Sequence, residues 1–175
     1  NLSNKNKCIV IGGGIGFIPT LVFHKTNNSV LVFEINKKII KNLKNNLQIN
    51  HCNYKLFNKN LVFDKKKFSN FYHNENFLET SSYLTTKRKF SVNNIYYKKI
   101  KNLSSFNTLI IDGEGAEEYY INNLTKLKNI KHILFELHNN IHNHNKIEEI
   151  FHILKKNKFK FNDKCFNSYY FKKFI

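Results

Sequence analysis

Cys8-Ile-Val-Ile-Gly-Gly-Gly-Ile-Gly16 decides the fold. Four apolar residues in a row, ended by glycines, read as a strand buried on both faces that turns sharply at its carboxyl end. Gly12, Gly13, Gly14 and Gly16 let the backbone turn where a side chain would clash, and lie close against a ligand. The next segment, Phe17 to Lys25, reads as a helix with Pro19 in its first turn, where a missing N–H costs nothing. Strand, glycine turn and helix together open a parallel α/β sheet.

The same alternation continues outward. Val30-Leu-Val-Phe33 reads as a second buried strand, stopping at Glu34. Asn36 is placed to cap a helix whose apolar face is Ile39, Ile40, Leu43 and Leu47. A third strand is expected within Tyr54 to Phe63, and Phe68 to Tyr72 alternates as an edge strand would. His73 to Lys101 is polar, lysine-rich and aromatic, with no clear rhythm. We therefore expect one domain over 1–175, with an insertion or lid-like segment at about 64–105.

Order returns at Thr108-Leu-Ile-Ile111, a strand ending in Asp112. A helix with Ala116, Tyr120, Leu124 and Leu127 on one face should follow it. Ile133-Leu-Phe135 is a further strand, ending at Glu136. Ile147, Ile150, Phe151 and Leu154 mark a last amphipathic helix, and the aromatic tail from Lys158 suits a closing antiparallel hairpin.

Three of these strands end in an acid and the other in the glycine loop. In open parallel sheets, ligands bind outside the carboxyl ends of the strands. The chain has twelve acids, and five of them (Asp112, Glu114, Glu117, Glu118 and Glu136) fall in one short stretch. Glu34 is placed to accept hydrogen bonds from the ribose hydroxyls of a nucleoside. A dinucleotide fingerprint wants a glycine at position 17, where this chain has Phe17; Gly16 takes its place. The resulting G-x-G-x-G loop favours S-adenosyl-L-methionine, which has no pyrophosphate to seat on the helix N-terminus. A nicotinamide-dependent reductase is disfavoured on the same ground.

The formal charge of +17 over 175 residues invites a nucleic-acid partner. Against it, Asn, Lys, Ile, Phe and Tyr dominate together, Trp and Met are absent, and Arg88 is the single arginine. The lysines run from Lys5 to Lys173 rather than in one stripe, and no N/D-P-P-Y stretch is present. The sequence thus argues against nucleic acid as the partner. Cys8, Cys52 and Cys165 have no CxxC spacing and read as free thiols in a reducing, cytoplasmic setting. The uncharged run from Cys8 to Phe23 is shorter than the roughly 20 residues of a membrane span. The chain begins at Asn1 rather than Met, which suits an excised domain or an incomplete product. His138, His142 and His144 resemble a metal cluster, but an Asn-rich loop yields the same spacing, and no metal is expected.

Ile11-Gly-Gly-Gly-Ile-Gly16 and Val32-Phe-Glu34-Ile-Asn36 resemble the start of an FkbM-type methyltransferase domain. Ile111-Asp-Gly-Glu114-Gly-Ala-Glu117 is similar to that family's D-x-E-G-x-E stretch, and Leu134-Phe-Glu136-Leu-His138 to its next strand. Phe71-Tyr72 followed by Thr80-Ser81-Ser82-Tyr83 is similar to the family's strand and Ser-Ser segment. The resemblance runs from about Lys7 to Phe161. The chain departs from the family's pattern at Val10, Ile110 and Gly113, where an acid, a lysine and a hydrophobic residue are usual.

The resemblance implies a Rossmann-like class I methyltransferase sandwich, with a mostly parallel seven-stranded sheet and a C-terminal antiparallel hairpin. It also implies S-adenosyl-L-methionine held by Gly12, Gly13, Gly14, Gly16, Glu34 and Ile35. Asp112 or Glu114 would act as the base, and Glu136, His138, Ser81 and Ser82 would lie on the acceptor side. The expected acceptor is a hydroxyl of a small molecule, sugar or glycan. A nucleic-acid methyltransferase, an RNA-binding module of the same fold and a catalytically degenerate FkbM-like domain are the alternatives.

Overall fold

The computed structural model describes residues 2–73, 80–81, 89–113, 115–137 and 144–174. The first half runs β1 (Cys8–Ile11), α1 (Phe17–Thr26), β2 (Val30–Phe33), α2 (Ile40–Ile49), β3 (Tyr54–Phe57), β4 (Asn60–Val62), β5 (Phe68–His73), β6 (Thr80–Ser81) and β7 (Lys89–Tyr96). The second half runs β8 (Thr108–Ile111), α3 (Glu117–Asn122), β9 (His132–Glu136), α4 (His144–Lys156), β10 (Phe159–Cys165) and β11 (Ser168–Lys173).

Among the described residues, seven strands form one sheet in the order β10-β11-β9-β8-β1-β2-β3. β1 lies between β2 and β8, parallel to both, with Val10 opposite Val32 and Ile110. β3 and β9 extend the parallel set, while β11 runs antiparallel to β9 and β10 antiparallel to β11. This is the expected parallel sheet closed by a C-terminal hairpin. The apolar runs of β1, β2 and β8 are buried at every residue because helices and loops cover both faces.

One face packs Val10, Val32 and Ile110 against Val22 of α1 and Leu43 and Leu47 of α2. Each fully buried leucine here is worth about 2 kcal/mol of transfer free energy. The other face carries Ile9, Ile11, Phe33, Ile111 and Phe135, under Tyr120 and Ile121 of α3 and Ile150 and Leu154 of α4.

Three local expectations are corrected and one is borne out: the third strand expected within Tyr54 to Phe63 is β3, which ends at Phe57, after which β4 joins, among the described residues, a separate four-stranded sheet in the order β4-β7-β5-β6. Asn58 makes the break, since its side-chain amide donates to the Glu34 carbonyl at 2.7 Å and holds the chain at the sheet's rim. β5 is an inner strand, flanked by β7 and β6, rather than an edge. The helix after Asp112 stops at Asn122 and tightens into a 3-10 turn at Leu124–Lys126. Asn36 does cap, but a lead-in turn: its Oδ1 accepts from Lys38 N at 3.1 Å, ahead of α2.

The small sheet covers the main sheet beside the glycine loop. Leu61 and Phe63 enter the core cluster, and the Tyr120 hydroxyl, fully buried, donates to the Leu61 carbonyl at 3.1 Å. The Tyr119 hydroxyl in turn accepts from Phe63 N at 3.1 Å.

Candidate functional site

The glycine loop is fixed by its neighbours on both sides. Gly12 has φ +82, and a Cβ there would sit 1.8 Å from the Asp112 carbonyl oxygen. Only glycine allows β1 and β8 to approach so closely at their carboxyl ends. The N–H groups of Gly12 and Gly13 both donate to the Phe33 carbonyl, at 3.0 and 3.2 Å. Behind the loop, Gly13 faces Val32 and Leu43, and Gly16 faces Leu43 and Asn46. Gly14 differs: its φ is +54, yet among the described residues a Cβ would meet no atom within 4 Å.

Glu34 is 5% exposed and knots the loop to the second strand. Its Oε2 accepts from Gly14 N at 2.8 Å and its Oε1 from Asn36 N at 2.7 Å. The Ile35 N–H also interacts with it. Burial pushes its carboxyl above the ordinary value; these three N–H groups oppose the rise and the charge of Asp112 adds to it. An ionised carboxylate offers about four acceptor positions. Three backbone donors therefore leave capacity for a further hydroxyl.

A cleft opens above these groups, with Gly12 and Gly14 on its floor and Phe33, Glu34 and Ile35 on one side. Asp112, Gly113 and Ala116 form the opposite side, while Lys59, Asn60, Phe71 and Tyr120 close it from the small sheet and α3. Asn60 is tied in place, with its Oδ1 accepting from the Tyr120 hydroxyl at 3.2 Å and its Nδ2 donating to Ser69 Oγ at 3.3 Å.

The structure thus brings Gly12, Gly14, Glu34, Ile35 and Asp112 together, with Gly13 and Gly16 supporting the loop from behind. Glu136 lies apart, half-buried in an apolar depression under α1 that it shares with Asp112, Ile18 and Leu134. Ser81 belongs to β6, paired with Tyr72. Glu114, Ser82 and His138 fall outside the described residues, as does His142; His144 opens α4. Among the described residues no cluster of metal-ligating side chains occurs. Nor is any of their helices long and apolar enough to cross a membrane.

Several lining residues escape a sequence reading. Lys59, Asn60 and Phe71 reach the cleft only because the chain leaves the main sheet at Asn58. Glu117 is fully buried and turns its Oε1 back to Gly113 N at 3.3 Å; its place as the last acid of the D-x-E-G-x-E stretch was the available signal. Val10, where the FkbM pattern has an acid, is wholly buried in the apolar cluster with Val22 and Leu43.

No protein-family model and no curated protein matches this sequence. Solved structures do. The ribosomal protein L11 methylase of Lactobacillus delbrueckii subsp. bulgaricus superposes with a TM-score of 0.57 at 12% identity, over 96% of this chain and 70% of its own. Precorrin-6y C5,15-methyltransferase of Geobacter metallireducens GS-15 gives 0.57 at 11%, over 98% and 78%. M. capricolum TrmK, solved in complex with S-adenosyl-homocysteine, gives 0.55 at 10%, over 98% and 62%. At such identities the likeness is one of architecture, and this chain has the Rossmann-like fold of these methyltransferases.

Proposed function

We propose that the chain is an S-adenosyl-L-methionine-dependent methyltransferase acting on a hydroxyl of a sugar, glycan or natural-product acceptor. The observation that carries the cofactor assignment is the Glu34 carboxylate, held at the rim by Gly14 and Asn36 and still able to accept a hydrogen bond. The fold shared with methyltransferases supports it, as does the S-adenosyl-homocysteine bound to one of them. The acceptor class rests on the FkbM resemblance.

The residues present fit this cofactor. Glu34 would receive a ribose hydroxyl, and the Gly12–Gly14 backbone would lie along the ligand with no side chain in its way. Ile35 offers an apolar flank. Phe71, Tyr120 and Asn60 would shield the cleft from water. When bound, the cofactor supplies a methyl group already activated by its sulfonium. What remains for the protein is to align the acceptor and remove its proton. Asp112, half-buried on the far wall from Glu34, is the base we assign, with Glu114 two residues on as the other candidate. His138, Ser81 and Ser82 would shape the acceptor side, and Glu136 would act on it from the neighbouring depression that it shares with Asp112.

A second reading, methylation of nucleic acid, is favoured by the net charge of +17. Incubation with methyl-tritiated S-adenosyl-L-methionine and either a panel of hydroxylated sugars or total RNA separates the two. Label in the sugars is the expected result. Label in RNA alone would replace the acceptor class, and label in neither would overturn both.

A further inference from the structure

The hairpin and the last helix enclose a groove that the methyl-transfer reading does not use. It measures about 970 Å³ and lies between α4 and β10–β11. Aromatic rings line it: Phe161, Tyr169, Phe171 and Phe174. Phe161 and Phe174 are 56% and 53% exposed, unusual for phenylalanine. Phe161 stands edge-on to Phe171 at 5.7 Å, and Phe171 packs in the same manner on Phe151 at 5.3 Å. The exposed rings therefore rest on a fixed aromatic base.

Lysines alternate with the rings. Lys155, Lys158, Lys160 and Lys164 all line the groove, and among the described residues no acid does. Lys160 Nζ lies 3.9 Å from the centre of the Phe174 ring and Lys164 Nζ 4.9 Å from that of Tyr169. The hairpin's own acid, Asp163, lies in a separate depression with Leu134 and Tyr170. Four lysines that lie within ten residues of sequence, Lys155 to Lys164, thus gather on one groove.

We propose that this groove binds single-stranded nucleic acid, phosphates against the lysines and bases against the exposed rings. Stacking platforms interleaved with cations are how unpaired strands are held without sequence readout, since every base has a π-face. A duplex keeps its bases stacked inside and cannot use the rings. A second copy of this chain would bring lysines against lysines. The rings line a concavity, which grips a strand; a bilayer is met by a projecting face. The groove is remote from Glu34 and the glycine loop, so the inference stands independently of the cofactor assignment.

The test is fluorescence anisotropy of the full chain with a fluorescein-labelled oligouridine of about 20 nucleotides, without cofactor, at physiological salt. Because a chain of this charge attracts any polyanion, the deciding variant keeps the charge. Phe161→Leu combined with Phe174→Leu should weaken binding about tenfold or more, while Phe68→Leu, an exposed phenylalanine outside the groove, should change it less than about twofold. Lys155→Gln with Lys164→Gln should weaken binding and lower the slope of log affinity against log salt by about 1.4. Circular dichroism melts establish that each variant is folded. Wild-type affinity in both groove variants would overturn the proposal. So would capture by phosphatidylserine vesicles with no oligouridine binding, or a dimer that only the groove variants dissolve.

Discussion

The Gly12 backbone lies so near the Asp112 carbonyl that a Cβ at position 12 would fall 1.8 Å from its oxygen. The glycine loop and the proposed base are therefore one unit, joined across β1 and β8 by Asp112 N donating to the Ile11 carbonyl at 2.9 Å. Gly12→Ala must both adopt a left-handed backbone and push β8 away. We expect a loss of about 3 kcal/mol, seen as a fall in Tm of about 6–12 °C. Gly14→Ala meets only the backbone strain and should cost about 1 kcal/mol. Equal melting temperatures for the two variants would contradict the close approach.

Tyr120 is the seam between α3 and the small sheet. Tyr120→Phe removes a buried hydroxyl and leaves the Leu61 carbonyl without that donor, at a cost of about 1–2 kcal/mol. Thermal melts should show a fall of about 3–6 °C. A variant as stable as wild type would mean that the contact with β4 holds nothing together.

Asp112→Asn keeps the side chain's shape and removes its basicity. Turnover should fall by about 10²-fold or more, with S-adenosyl-homocysteine affinity kept within about threefold of wild type. Single-turnover assays beside calorimetry check both halves. Unchanged turnover would remove Asp112 from the reaction.

The pH dependence follows from Glu34. Burial raises its carboxyl above the ordinary 4.5, so the folded state holds this proton more tightly than the unfolded chain does. The stability it contributes is fully present below 4.5 and lost as pH rises through the raised value. Relative to Glu34→Gln, the wild type should therefore gain stability on acidification from neutral pH, measured by paired melts. Nucleoside binding runs the other way, because a hydroxyl donor needs the carboxylate; affinity should begin to fall while the pH is still above 4.5. A stability difference constant with pH would count against the buried-acid assignment.

The main sheet is legible because β1, β2 and β8 are short apolar runs bounded by glycine or acid, and parallel sheets bury such runs on both faces. The glycine loop and Glu34 follow from the same pattern. The small sheet is legible only in β5, read as a strand over Phe68 to Tyr72, and the rest is hidden for two physical reasons. Asn58 turns the chain out of the sheet through one side-chain hydrogen bond, which no periodicity announces. β7 alternates only briefly: Phe90 and Val92 are covered between exposed Lys89, Ser91 and Asn93, and Asn94 then breaks the apolar pattern after two positions. Asn60 is hidden with β4, whereas the strand that carries Phe71 is legible but its place at the cleft is not.

The most direct test of the account is calorimetric titration with S-adenosyl-homocysteine of the wild type and of Glu34→Ala, each first confirmed as folded. The account predicts micromolar binding by the wild type and at least about tenfold weaker binding by the variant. No binding by the folded wild type, or equal affinity in the two proteins, would contradict the claim that Glu34 and the glycine loop hold the cofactor.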